Sequence, residues 1–452
     1  MIKTPYMKND QLSPLACVIL AAGQGTRMLS DKPKVMHSIA GMPMVRHVIN
    51  ACSELWPEKI IVVVAPGMEQ VCATVAPHKC AVQESPLGTG DAVRAARNDL
   101  SDFSGDIIVL FGDTPLVTSA ALEKLQIKRK ETGADIVVAG FVPDEPGAYG
   151  RLVLNDTGDL EAIVEAKDAR PEQLKIKVCN GGIMLFSSKK LWRLIVKLNN
   201  NNAKKEFYLT DCIGLAREAG MRCVVTEASS DDVMGINNRV DLAEAERVMQ
   251  QRLRREAMLG GVTLIDPDTA YLSVDTKFGK DVTIGPNVVI GSGVEIGDGV
   301  VINPFCHIEK TKIGAGAIIG PFARLRPGSV IGGEAHIGNF VEIKNSEIGK
   351  GSKVNHLSYV GDAQVGAKTN IGAGTITCNY DGFRKSKTQI GDGVFIGSNT
   401  ALVAPVKVGD GAMIGAGSVI TKEVPADSLG VERSHQTNLE DWAKKFRLKQ
   451  KS

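Results

Sequence analysis

The stretch 284-IGPNVVIGSGVEIGDGVVI-302 puts an isoleucine at every sixth residue, at Ile284, Ile290, Ile296 and Ile302, and follows the first three with glycine. The ladder continues through Ile308, steps by five to Ile313, and runs on through Ile319, Leu325, Ile331, Ile337 and Ile343. Further steps reach Ile348, Val354, Val360, Val365 and Ile371, and after a break the register resumes at Ile390, Ile396, Leu402, Val408, Ile414 and Ile420. A six-residue period denotes a parallel β-helix, each unit giving one short strand with its aliphatic residue inward and then a corner. Glycine beside the aliphatic residue permits that tight corner. A chance glycine-rich linker would not keep so many apolar positions in register. With three units to a coil, the span from Ile284 to Ile420 predicts roughly seven coils, a prism on the order of 35 Å tall at ~4.8 Å per stacked strand. The break, 376-ITCNYDGFRKSKTQI-390, carries polar, basic and aromatic residues. A loop thrust from a rigid solenoid is a favoured place for function, a tolerated insertion being the plain alternative.

The ladder accounts for most of the excess glycine, 48 of 452 residues. A chain of this length exceeds one ordinary core, so two or three domains are expected. A formal net charge of +2 gives no field that would imply nucleic-acid or membrane partners. No apolar run is long enough to span a membrane, and the opening MIKTPYMKNDQLSP lacks the apolar region of a secretion signal. Nine cysteines without a C-x-x-C pair suggest reduced thiols in a cytoplasmic protein. The expected organisation is an N-terminal extension over 1–14, a nucleotide-handling domain over 15–236, a connecting helix over 237–260 and the β-helix with its tail over 261–452.

In the front half, apolar runs at 15-LACVIL-20, 60-IIVVVA-65, 107-IIVLF-111, 136-IVVAGFV-142 and 182-GIMLF-186 alternate with helical stretches such as 91–100 and 119–129. Such alternation predicts an α/β domain with a mainly parallel sheet, whose ligands sit beyond the carboxyl ends of the strands. Two loops fall there. The first lies in 18-VILAAGQGTRMLSDKPK-34. It fits neither familiar phosphate pattern, since Met28 stands where a dinucleotide fingerprint wants glycine and no Gly-Lys-Ser/Thr follows. Its backbone N–H groups from Ala22 to Thr26 can still cradle an anion, with Arg27 and Lys34 as cations. The second is Gly112-Asp113, where a carboxylate released from a buried strand suits a hard cation such as Mg²⁺, or merely makes a turn. Leu242, Ala245, Met249 and Leu253 recur at helical spacing over 237–259, and Asn237 or Asn238 would serve as the N-cap.

Taken together, L-A-A-G-x-G-T-R-M followed by Lys32-Pro33-Lys34 resembles the sugar-phosphate nucleotidyltransferase family. With 320-GPFARLRPG-328, 338-GNFVEIKN-345 and 370-NIGAGTITCNYDG-382 on the same chain, the resemblance narrows to the bifunctional bacterial enzymes of UDP-N-acetylglucosamine synthesis, over nearly the whole chain. It implies a Rossmann-like front domain, a left-handed β-helix and a homotrimer with sites between subunits. It also implies two reactions that supply a precursor of peptidoglycan and lipopolysaccharide. Acetyl transfer from acetyl-CoA to glucosamine 1-phosphate is followed by uridylyl transfer from UTP to N-acetylglucosamine 1-phosphate, releasing pyrophosphate.

For uridylyl transfer the resemblance assigns nucleotide-sugar contacts to Leu20, Ala21, Ala22, Gly23, Lys34, Gln83, Gly88, Thr89, Phe111, Gly112, Asp113, Gly150, Glu165, Asn180 and Asn237. Asp113 and Asn237 would hold Mg²⁺, with Arg27 and Lys34 offsetting charge on the departing pyrophosphate. Gln83 with 87-LGTG-90 would read uracil. For acetyl transfer, His356 matches the general base. Arg326, Lys344, Tyr359, Asn370 and Lys385 match sugar-phosphate contacts, and Ala373, Asn379, Tyr380, Ser398, Ala416 and Arg433 match acetyl-CoA contacts or neighbours of the reacting groups. Two departures stand out: Phe111 where some relatives carry tyrosine, and Ala166 where histidine is expected. The rival readings are a one-reaction nucleotidyltransferase whose β-helix serves only assembly, and a non-catalytic scaffold. His356 with Asn379-Tyr380 argues against the first, and Arg27, Lys34, Asp113 and Asn237 argue against the second.

Overall fold

The computed structural model describes residues 12–202 and 204–450. The extension expected over 1–14 therefore lies outside the described residues except for its last three. The chain divides into two compact units between Leu253 and Arg254, within the Arg239–Leu259 helix.

The first unit is built on a nine-stranded sheet. Its main path runs Cys223–Glu227, Ile136–Phe141, Cys179–Ser187, Asp106–Phe111, Leu15–Leu20, Lys59–Val64, Lys79–Val82. All five apolar runs read from the sequence are strands of it. The Cys179–Ser187 strand runs antiparallel to both neighbours, so the sheet is mixed. Alternate residues of the central Leu15–Leu20 strand feed two cores, Cys17 and Ile19 on one face and Ala16 and Val18 on the other. This strand pairs in parallel with Lys59–Val64 on one side and Asp106–Phe111 on the other. The crevice between the Leu15–Leu20 and Asp106–Phe111 carboxyl ends is the kind of place where open α/β sheets bind ligands.

One sequence expectation is corrected here. Cys72 and Cys80 are joined by a disulfide, their Cα atoms 6.0 Å apart, and only the other seven cysteines are free thiols. No motif signals the pair. The Glu69–Val75 helix folds back along the Lys79–Val82 strand and brings the two residues within bridging distance.

In the second unit three parallel sheets of ten, eight and eight strands form a β-helix. Every ladder position named above is at most 5% exposed. The coiling exceeds the roughly seven coils expected, because it starts at Thr263–Leu264 and Lys277–Phe278 and ends at Leu429–Gly430. The early rungs escape the Ile-Gly pattern, since 264-LIDPDTAYLSVDTKF-278 fills the interior with Leu264, Ala270, Leu272 and Thr276 instead. The break is also shorter than 376–390. Ile376–Cys378 pairs with Ala401–Val403, and Thr388–Ile390 pairs with Val406–Val408, leaving a loop over 379–387. Thr377 is the reason the break looked longer. It occupies an inward rung position, where its hydroxyl donates to the Gly361 carbonyl at 3.0 Å and accepts from the Gly361 N–H at 2.8 Å. A buried hydroxyl so satisfied costs little.

Two candidate active sites

The first site grows from one register pair. Leu20 lies directly opposite Phe111, so the loop after Leu20 and the Gly112-Asp113 turn leave the sheet side by side. Gly112 donates its N–H to the Leu20 carbonyl at 2.9 Å, and a Cβ there would crowd Ala21 and Val35 at 3.3 Å. Gly25 sits at φ 65°, where a side chain would run into Lys34 Cβ at 2.5 Å, so this glycine lets the lysine lie against the loop. Gly23 differs: nothing lies within 4 Å of its would-be Cβ, and the space it leaves faces open surroundings. Met28, which displaced the expected third glycine, is buried at the end of a 3₁₀ turn and anchors the loop to the core.

Four residues far apart in sequence converge here. The Lys34 ammonium is ion-paired with Asp113 Oδ2 and lies 3.4 Å from Asn237 Oδ1. Arg27 donates to the same Asn237 oxygen at 2.8 Å. Asn237 is thus not the helix cap. Asn238 takes that role, its Oδ1 accepting from the N–H groups of Val240 at 2.7 Å and Asp241 at 3.0 Å. That leaves the Asn237 side chain to face the cations. Arg239, which sequence reasoning missed, donates to the Met28 carbonyl at 3.3 Å and ties the helix start to the loop.

Of the expected sugar and base contacts, Gln83 is buried and its amide nitrogen donates to the Gly88 carbonyl and to Asp91 Oδ2, both at 3.0 Å. Thr89 Oγ1 accepts from the Leu209 N–H at 3.0 Å. Both side chains therefore spend part of their bonding capacity bracing the 87–90 turn. Gly150 sits between two other expected contacts. Asn180 donates its N–H to the Gly150 carbonyl at 2.8 Å, and the pairing of Arg151 with Val164 sets Glu165 opposite. Burial pushes the Glu165 carboxyl up, Lys204 opposes this, and Asp168 and Asp211 add to it.

The second site follows from coil register. Asn339 and His356 are paired on adjacent rungs, and continuing the Val354–Ile371, Ile371–Ile396 and Ile396–Ile414 pairs by two residues places Ala373, Ser398 and Ala416 on the same corner. The histidine expected as general base and three of the expected acetyl-CoA contacts thus form one column. Arg433 closes it, donating to the Ala416 carbonyl at 2.8 Å. The His356 Nδ1 lies 2.7 Å from Asn339 Oδ1. An amide oxygen only accepts, so Nδ1 is the donor in this contact, and the neutral imidazole so held has its lone pair on Nε2. Asn339 was missed in the sequence because its signal is a coil-length offset, 17 residues, and not a local motif.

On the next face, Glu342 pairs with Tyr359 and Lys344 with Gly361. Arg326 donates to Glu342 Oε1 at 2.7 Å, a contact that holds its guanidinium and raises its pKa. A side chain at Gly361 would collide with the Tyr359 ring, so the glycine makes room for it. Asn370 pairs with Lys353 on the preceding face. One chain therefore does not unite it with Arg326, Lys344 and Tyr359. Asn379 is buried and its amide donates to Asp362 Oδ2, at a corner different from that of Ala373, Ser398 and Ala416. Tyr380 and Lys385 are bridged across the neck of the 379–387 loop.

Comparisons with known proteins agree with this division. The family model for the MobA-like NTP transferase domain matches residues 17–205, and that for the bacterial transferase hexapeptide (six repeats) matches 275–310, 310–345 and 387–422. The chain is 54% identical to the bifunctional protein GlmU of Paramagnetospirillum magneticum over 97% of its length and 98% of that protein. It is 54% identical to the same-named protein of Rhodospirillum rubrum, covering 96% and 98%, and 48% identical to that of Zymomonas mobilis, covering 97% and 98%.

Proposed function

The chain belongs to the family of bifunctional GlmU proteins, and on that premise we propose how its residues divide the synthesis of UDP-N-acetylglucosamine. The protein is a uridylyltransferase in its front domain and a glucosamine 1-phosphate N-acetyltransferase in its β-helix.

For uridylyl transfer, the supporting observation is the convergence of Arg27, Lys34, Asp113 and Asn237. Asp113 and Asn237 offer hard oxygens to one shared ammonium, a donor set that suits magnesium. Among the described residues no group of three or more His, Cys, Asp or Glu could hold a metal alone. Two protein oxygens suffice where water and a triphosphate fill the remaining positions. Bound there, Mg²⁺ would neutralise phosphate charge and hold the triphosphate. Lys34 would then exchange Asp113 for a phosphate oxygen, and Arg27 would steady the departing pyrophosphate. Leu20 to Gly23 present backbone groups beside the space Gly23 leaves open. The gain comes from positioning and charge neutralisation, since the sugar phosphate is itself the nucleophile.

For acetyl transfer, the supporting observation is the Asn339-oriented imidazole. His356 Nε2 takes a proton from the sugar amine as its nitrogen forms a bond to the thioester carbonyl. The carbon–sulfur bond then breaks, and coenzyme A leaves as the thiol after its sulfur takes the proton that His356 Nε2 had accepted. Arg326, Lys344 and Lys385 suit a phosphate dianion. Ser398, or an N–H near it, would stabilise the oxyanion. The spread of Asn370 and Arg326 over two faces supports sites completed by neighbouring subunits of a trimer. No helix of the described residues is long and apolar enough to cross a membrane.

A coupled incubation with glucosamine 1-phosphate, acetyl-CoA, UTP and Mg²⁺ tests the reading. Both thiol and pyrophosphate are expected. Pyrophosphate from N-acetylglucosamine 1-phosphate without any thiol from glucosamine 1-phosphate would favour the one-reaction enzyme. A monomer in light scattering with full acetyl transfer would refute the shared sites.

A further inference from the structure

We propose that Asp362 is a positioning residue for acetyl transfer, holding both feet of the 379–387 loop and thereby aiming Tyr380 and Lys385. The inference rests on the β-helix being the acetyltransferase. Asp362 stands at a corner of the solenoid at φ 49°, a left-handed conformation, and its carboxylate is shared between two amides. Asn345 donates to Oδ1 at 2.6 Å, and Asn379, at the loop entry, donates to Oδ2. The loop exit is held by the same residue, since the Thr388 N–H donates to the Asp362 carbonyl at 3.2 Å. Asp362 is itself fixed from below, its own N–H donating to the Lys344 carbonyl at 3.0 Å. Ser386 N–H to the Asn379 carbonyl, at 2.9 Å, closes the neck.

Burial opposes ionisation of Asp362, but the hydrogen bonds from Asn345 and Asn379 and the positive Lys344 and Lys385 together hold its carboxyl below the usual range. The group is therefore an anion with both oxygens engaged by side-chain amides, whereas the exposed Asp381, in the loop itself, accepts the Phe383 and Arg384 N–H groups on Oδ1. It is 9% exposed, so its work is done through the residues it holds. Losing the grip leaves Lys385 on a mobile arm, which weakens the sugar phosphate more than it changes the chemistry.

The test is Asp362→Asn in the full chain, read by thiol release from acetyl-CoA against glucosamine 1-phosphate concentration. The amide turns an N–H toward one of two N–H donors, and a buried mismatch of this kind is costly. The expected result is a KM for glucosamine 1-phosphate raised about tenfold or more, a kcat within about threefold of the parent, and an unchanged uridylyl rate. The exchanged pair Asn345→Asp with Asp362→Asn restores an acceptor for each donor and should bring KM back within about threefold. An unchanged KM in Asp362→Asn overturns the proposal, as does a loss shared equally by the uridylyl reaction. Should Asp362→Asn fail to fold, the exchanged pair decides alone: KM near the parent supports the proposal, and a tenfold rise overturns it. Failure of the underlying reading looks different, for then the parent protein itself releases no thiol.

Discussion

In the N-terminal domain Arg27 reaches Asn237 across 210 residues of chain, whereas in the β-helix His356 reaches Asn339 across 17. The first contact exists because strand order sets Leu20 beside Phe111 and the chain then returns before its long helix. There, Ile236 N–H donates to the Asp113 carbonyl at 2.9 Å, seating Asn237 next to the carboxylate. The second exists because one coil stacks on the next. A site of the first kind is vulnerable wherever any of several loops shifts. A site of the second kind is written at a fixed offset on a rigid frame, and its weak point is the one place where a coil is lengthened. Across that lengthened coil the offset becomes 25 residues, as between Ala367 and Asp392, and there Asp362 holds the inserted loop.

The largest effect should separate the two sites outright. Asp113→Ala is expected to lower uridylyl transfer about 10³-fold, since it removes the only carboxylate of the proposed metal site, while thiol release continues at the parent rate. Loss of both activities would break the comparison. His356→Ala is the mirror experiment, with acetyl transfer down about 10²-fold or more and pyrophosphate release untouched. Asn339→Leu sharpens the register argument. Without an acceptor for Nδ1 the imidazole is no longer held in one tautomer, and acetyl transfer should fall about tenfold, with little change in thermal stability. An unaltered rate would mean that the column does not orient the base.

The smallest effect concerns stability of the N-terminal domain alone. Burial pushes the Asp106 carboxyl up to about 6, against the opposing charge of Arg129 at 2.8 Å. The folded state thus holds a proton that the unfolded chain releases at lower pH. The associated stabilisation is present at about pH 4 and is lost as pH rises through about 6, by about 2 kcal/mol. Denaturant titrations across that window should show the slope, and Asp106→Asn should flatten it without altering the β-helix transition.

Much of this was legible in the residues. The ladder from Ile284 to Ile420 is readable because an inward aliphatic at every rung is both a chemical and a periodic signal. The five buried strands of the front half are equally plain as apolar runs. Thr377 shows where such reading stops. A polar side chain can serve as a rung if its hydroxyl is satisfied by the neighbouring coil, and only the coil above and below reveals that. The early rungs at Leu264 and Leu272, and the Cys72–Cys80 bridge, were hidden for the same reason, since nothing local distinguishes them.

The residues by themselves determined which chemistries could be present: a glycine-rich loop with nearby cations, a carboxylate at a strand end, a histidine and basic side chains on a solenoid. They also determined the two architectures, because hydrophobic period dictates which side of the backbone is buried. Tertiary structure alone decided that Asn238 caps the helix so that Asn237 can face Arg27 and Lys34. It also decided that Asn339 fixes the tautomer of His356, and that Asp362 grips both ends of one loop. Each of these is a hydrogen bond between groups distant in sequence, and its short range makes it a property of the folded chain and not of any local pattern.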